Sequence, residues 1–269
     1  MTTTVRVAAI QCPAEFAAIE RNTSRLTALI RKAATAGAKI VVLPELAITG
    51  YVAEDLSENW HVPGRPLDRI FRGRDPAEFS QSVPGPATNL FCGVAKELRI
   101  YLTIPILERT DSPAGGYFNT ACLAAPDGRL VAHYRKLEPW PPTEQSWATP
   151  GERGLATFDT KYGRIGIAIC YDIHTILPRY AERKLWALLF PSAWVDDGDP
   201  TDWFHHRLPA MVACHGHYVI GANWSVGRPQ RWRGYGHSTI IAPDGRVLAT
   251  AKSLYGSEIV YADIETATS

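Results

Sequence analysis

Apolar and polar positions alternate along Val5-Arg6-Val7-Ala8-Ala9-Ile10-Gln11 until Pro13, so the chain opens on a strand. The period then lengthens. Leu26, Ile30 and the Ala33-Ala34 pair recur at helical spacing among Arg21, Arg25, Arg31 and Lys32, which predicts an amphipathic helix over 20–36 closed by Gly37. A β-branched run, Lys39 to Leu43, follows at once and breaks at Pro44. Strand, helix and strand in succession predict a layered α/β protein. Further along, the pattern predicts a helix from Pro86 to Leu98, with the proline in its first turn, and strands over 100–107, 117–124 and 129–135. The run Ile165-Gly166-Ile167-Ala168-Ile169 reads as a strand packed on both faces, its small residues leaving room for a close neighbour. Beyond it the reading is helix over 180–184, strand over 185–190, helix over 203–214, and strands over 218–224 and 259–264. Residues 52–85 are polar and proline-punctuated; a loop this long in a compact protein is expected to act as a lid or entrance.

One stretch is echoed. Ala124-Ala125-Pro126-Asp127-Gly128-Arg129-Leu130-Val131-Ala132 resembles Ile241-Ala242-Pro243-Asp244-Gly245-Arg246-Val247-Leu248-Ala249, each a strand, a Pro-Asp-Gly turn and another strand. The placement of one near the end of each half suggests two similar α-β halves whose sheets stack, with helices outside. No composition shift divides the chain, so the whole of 1–269 is read as one domain.

Composition narrows the partners. A hydrophobic content of 46% supports a substantial core, and 28 basic against 27 acidic residues leave no bulk field for nucleic acid or an anionic membrane. Cys12, Cys92, Cys122, Cys170 and Cys214 are odd in number and form no CxxC pair, which argues for a reducing compartment and against a disulfide framework or structural zinc. With no signal-peptide pattern and no membrane-length apolar run, a cytoplasmic protein is expected.

The candidate chemistry sits where strands end. Strand 39–43 delivers Glu45, strand 129–135 delivers Lys136 ahead of the loop Glu138-Pro139-Trp140-Pro141-Pro142-Thr143-Glu144, and strand 165–169 delivers Cys170. In α/β proteins the carboxyl ends of strands are where ligands bind, so an acid, an ammonium and a thiol there make a candidate site. Rival signatures are missing: there is no GxSxG elbow, P-loop or GxGxxG, and the pairs His205-His206 and His215-His217 lack partners at metal-ligand spacing. No metal or cofactor is expected. Cys92, Cys122 and Cys214 carry no motif and read as packing.

The motifs Pro44-Glu45-Leu46 with Gly50-Tyr51, Tyr134-Arg135-Lys136, and Gly166 through Cys170-Tyr171-Asp172 followed by Pro191-Ser192-Ala193-Trp194 come in an order that resembles the carbon-nitrogen hydrolase (nitrilase) superfamily. The likeness runs from about Val5 to Asp263 and is weakest over 52–85. It implies a four-layer αββα sandwich that pairs into a homodimer or larger homo-oligomer. By the same resemblance Cys170 is the nucleophile, Glu45 the general base, Lys136 the oxyanion partner and Glu144 the second glutamate, with Glu138 as its competitor. An unperturbed thiol, with a pKa near ~8.5, needs such a base to attack at neutral pH.

Tyr171-Asp172 after the cysteine is similar to the amidase branches rather than to nitrile-cleaving members, which implies a small-molecule carboxamide substrate and a thioester intermediate. Acyl transfer, ring formation or nitrile hydrolysis from the same sulfur are the alternatives. Members acting on N-carbamoyl amino acids place arginines shortly after the cysteine motif; Ile173 and His174 stand there in this chain. Tyr51, Trp140, Tyr171 and Trp194 are the expected substrate contacts, and Trp147 and Trp224 fit packing equally well.

Overall fold

The first strand, β1 (Thr4–Pro13), divides its side chains between two cores. Val5, Val7 and Ala9 enter one buried cluster, and Ala8, Ile10 and Cys12 another, as a period of two requires of a strand covered on both faces. The computed structural model describes residues 3–110, 116–196, 200–230 and 233–267. After β1 come helix α1 (Ile19–Thr35), β2 (Ile40–Val42), the short strands β3 (Glu58–Trp60) and β4 (Arg72–Arg74), helix α2 (Pro86–Leu98), and β5 (Tyr101–Arg109), β6 (Tyr117–Ala124) and β7 (Leu130–Arg135). The second half holds β8 (Thr157–Thr160), β9 (Gly163–Ile167), α3 (Ile173–Tyr180), β10 (Ala187–Ser192), α4 (Pro200–Asp202), α5 (Leu208–His215), β11 (Tyr218–Ser225), β12 (Thr239–Ile241), β13 (Val247–Thr250) and β14 (Glu258–Glu265).

Apart from the separate β3-β4 pair, the strands form two sheets in the orders β7-β6-β5-β2-β1-β14 and β8-β9-β10-β11-β12-β13. Each has three parallel strands at its centre, with antiparallel strands on either side. They meet along one seam, where β1 and β11 pair over Cys12–Trp224 and Pro13–Ser225. Val7, Ala9, Ile40 and Val42 from the first sheet share a cluster with Ile165, Ile167, Ile220 and Ile240 from the second, so the sheets stack face to face. The outer face of the first sheet packs on Leu26, Ile30 and Ala33 of α1 and Phe91 and Val94 of α2. The second packs on Ile173, Ile176 and Leu177 of α3 and Leu208 and Val212 of α5. This is the layered αββα architecture expected.

The echoed turns are the same structure twice. Gly128 N–H donates to the Ala125 carbonyl at 2.8 Å and Gly245 N–H to that of Ala242 at 2.9 Å, while Asp127 and Asp244 each accept from the N–H two residues on at 3.0 Å. With φ of 85° and 84°, both glycines need the left-handed region that L side chains rarely adopt.

Three expectations are corrected. The helix after the cysteine spans Ile173–Tyr180 instead of 180–184, where only a single tighter turn, Ala181–Arg183, continues it. Residues 52–85 are not a bare loop: β3 and β4 pair in parallel, Trp60 at the end of β3 is fully buried, and its indole N–H donates to the Gly50 carbonyl at 2.9 Å. Strand β8, absent from the sequence reading, flanks β9. The space left by Gly166 is filled as anticipated, since a Cβ there would fall 2.7 Å from Leu185 Cδ1 and 3.0 Å from the Tyr180 ring.

Candidate active site

Cys170 lies in a tight turn (Cys170–Asp172) three residues past the end of β9, with φ at 45°. A non-glycine residue in that left-handed region costs roughly 1–2 kcal/mol, and it is held there by Asp172. The buried Asp172 carboxylate accepts from Ile169 N–H at 3.0 Å and Tyr134 O–H at 2.7 Å through one oxygen, and from Leu137 N–H at 3.1 Å and Glu138 N–H at 2.9 Å through the other. One side chain thus ties the thiol's turn to the segment that leaves Lys136. Burial raises the Asp172 pKa to about 7 against the pull of Lys136 and these donors.

Lys136, one residue beyond β7, is 1% exposed and reaches both glutamates: Nζ donates to Glu45 Oε1 at 2.8 Å and Glu144 Oε2 at 2.5 Å. Asn119 Nδ2, from β6, donates to Glu45 Oε1 and Glu144 Oε1, each at 2.6 Å. Carboxylates only accept, so the amide nitrogen must face them. Ala193 N–H, just past β10, donates to Glu45 Oε2 at 2.7 Å, and Trp140 N–H to Glu144 Oε2 at 2.9 Å. Glu144 joins the cluster; Glu138 contributes its backbone to Asp172 instead.

The cluster's charges do not balance. Burial alone would lower the Lys136 pKa, but Glu144 and Glu45 outweigh it and the net shift is upward, so the ammonium stays charged. Burial, with Glu45 nearby, raises Glu144 against the pull of Lys136. Two carboxylates sharing one ammonium in a dry site have room for one more proton. Burial and then the charge of Glu45 raise the Cys170 thiol far above its ordinary value, while Lys136 and Ala193 N–H lower it, so the resting sulfur is protonated and faces the same groups as Glu45.

Above the sulfur opens a half-closed cavity of about 380 Å³. Its lining includes Cys170 and all four anticipated contacts, Tyr51, Trp140, Tyr171 and Trp194, and the insertion over 52–85 supplies Leu56, Asp68 and Ile70. Trp147 and Trp224 are instead fully buried in a neighbouring apolar cluster. Trp194 is fixed from behind: its N–H donates to Asn223 Oδ1 at 3.0 Å and its carbonyl accepts from Trp224 Nε1 at 2.9 Å. No group of three or more metal-ligating side chains occurs among the described residues.

Asn119 and Asp172 were not anticipated as site residues. Asp172 stood inside a quoted motif without a role, whereas Asn119 lies mid-strand in Tyr117-Phe118-Asn119-Thr120 and carries no local signal.

A thiol beside a buried carboxylate–ammonium–carboxylate cluster, on a stacked-sheet α/β scaffold, defines a cysteine-dependent hydrolase class. The model for that family, carbon-nitrogen hydrolase, matches residues 6–269, and the chain belongs to the carbon-nitrogen hydrolases, in their amidase branch. Among similar proteins, the omega-amidase NIT2 of Homo sapiens is 34% identical over 258 residues, covering 91% of this chain and 83% of that protein. The Bos taurus omega-amidase NIT2 is 32% identical over 276 residues, covering 97% and 89%. The crystal structure of an amidase from Nesterenkonia sp. superposes with a TM-score of 0.79 at 22% identity, over 98% of this chain and 92% of that one. A variant of that amidase, with an acetamide moiety added covalently at its active-site cysteine, superposes with a TM-score of 0.78 at 21% identity, over 98% and 93%.

Proposed function

We propose that the chain hydrolyses the carbon–nitrogen bond of a small carboxamide through a thioester on Cys170. The observation that carries this is the junction at Ala193, whose N–H donates to Glu45 at 2.7 Å and which lines the cavity together with Cys170, so that acid and thiol meet at one residue. In the first step Glu45 takes the thiol proton as sulfur attacks the amide carbon. Negative charge then builds on the carbonyl oxygen. Two of the three Lys136 protons are committed to the glutamates, which leaves the third for that oxygen; Tyr171 N–H, in the first turn after the sulfur and without an intrahelical acceptor, is the second donor. Glu45 returns the proton to nitrogen, the carbon–nitrogen bond breaks, and ammonia leaves. Water, deprotonated by Glu45, attacks the thioester; the acid departs and sulfur recovers its proton. Glu144 holds Lys136 in place and keeps the site's proton count adjustable.

The relatives' name, omega-amidase, supports amide hydrolysis as the reaction. No helix among the described residues is long and apolar enough to cross a membrane. The same proposal includes a homo-oligomer working in the cytoplasm, consistent with five unpaired thiols; sedimentation as a monomer would remove the oligomer.

The test is ammonia release from a panel of small amides, with intact-mass spectrometry of the protein. Turnover lost in Cys170→Ala, with an acyl-sized adduct on the wild-type chain only, is the expected result. Unchanged ammonia release in Cys170→Ala would exclude the thioester.

A further inference from the structure

The walls above Cys170 differ in kind from the ionic cluster below it. Trp194 stacks on Trp203 with ring centres 4.7 Å apart and planes at 22°, and the His174 ring lies 4.8 Å from Trp203 and 5.2 Å from Tyr171. Burial first, and the charge of Arg207 second, push the His174 imidazole below its ordinary value, so this wall is a neutral aromatic surface at pH 7. Leu56 and Ile70 add apolar surface from the insertion. The charged residues of the lining are both acids, Asp68 and Asp196; the described lining contains no lysine or arginine. Arg207 lies outside it, exposed and 4.0 Å from Asp202. Asp68 is set by its own loop, where its Oδ1 accepts from Ile70 N–H at 3.1 Å.

From this lining we infer that the cavity selects carboxamides whose acyl group is apolar and uncharged at its far end, and that Asp68 turns away acyl groups ending in a carboxylate. The inference rests on amide hydrolysis at Cys170. An acyl carboxylate entering this cavity sheds part of its hydration, meets the like charge of Asp68 in a medium less polar than water, and finds no cation in the described lining. An aryl or branched alkyl group instead covers the faces of Trp140 and Trp194.

Three amides of similar size isolate the charge: butyramide, succinamate and 4-aminobutyramide, with 3-phenylpropanamide to probe the aromatic wall. The expected order of kcat/KM places 3-phenylpropanamide above butyramide and butyramide above succinamate by about tenfold. Asp68→Asn is expected to raise the succinamate-to-butyramide ratio about tenfold and to lower the 4-aminobutyramide-to-butyramide ratio. A wild-type preference for succinamate over butyramide, or an unmoved ratio in Asp68→Asn, overturns the inference. Calorimetric binding of the same amides to Cys170→Ala reads the charge preference without turnover. Tighter butyramide binding there, with no hydrolysis by the wild type, keeps the selectivity and sinks the thioester proposal; tighter succinamate binding overturns the selectivity.

Discussion

Arg135 and Lys136 are neighbours at the end of one strand, each buried in a carboxylate network, yet the two networks are built for different ends. Glu108 meets the Arg135 guanidinium at 2.5 Å, His133 Nε2 at 2.8 Å and the Thr120 hydroxyl at 2.5 Å; Arg135 also lies 3.8 Å above the Phe118 ring and pairs with the exposed Glu152. Burial works against the Glu108 charge, but His133, Arg135 and Thr120 together bring its pKa down to about 2. That carboxylate is saturated with donors and stays ionised. One residue on, two buried carboxylates divide one ammonium, and Glu144 is pushed upward. The number of buried carboxylates that must share one cation separates the clamp from the cluster around Lys136.

The sharpest way to break that contrast is to neutralise one acid in each network. Glu45→Gln is expected to lower kcat/KM by roughly 10²–10⁴, the range of a lost general base, with a nearly unchanged melting temperature. Wild-type turnover would take Glu45 out of the proton path. Lys136→Gln follows, at roughly 10²–10³ in kcat if it steadies the oxyanion, read from single-turnover acylation with butyramide. Glu108→Gln leaves Arg135 without its buried partner and is expected to cost about 3 kcal/mol in urea unfolding while moving kcat/KM far less than Glu45→Gln does. Equal losses of activity in the two variants would collapse the distinction.

The smallest effect is a slope. Glu108 has a folded pKa of about 2 against 4.5 unfolded, so the unfolded chain binds the extra proton and stability rises with pH between those values. The contribution is fully present above about 4.5 and lost as pH falls through about 2. Stability curves over pH 3–5 should therefore be shallower in Glu108→Gln.

What the sequence made legible was local. β-branched runs marked the parallel strands, the Pro-Asp-Gly turns marked the two hairpins, and Glu45, Lys136 and Cys170 were legible because each follows a strand's end. Asn119 was not, because its role exists only through strand register: Thr120 pairs with Arg135, and the Lys136 N–H bonds to the Asn119 carbonyl at 2.8 Å. The helix at Ile173–Tyr180 was misplaced because Pro178 reads as a breaker, although Ile173, Ile176, Leu177 and Tyr180 bury one face at helical spacing. The strand pair within the insertion, read from the sequence as a lid or entrance loop, carried no local signal because Trp60 is fixed by distant partners, the Gly50 carbonyl and the Ser146 hydroxyl.

The sulfur comes from one stacked layer, and its acid, ammonium and second carboxylate come from the other. Reactivity is thus a property of the seam between them, and a copy whose layers have parted is disarmed with every reactive atom still in place. An unfolded or half-made chain would expose an ordinary cysteine with no carboxylate at hand to take its proton, so the fold doubles as a safety catch on its own nucleophile.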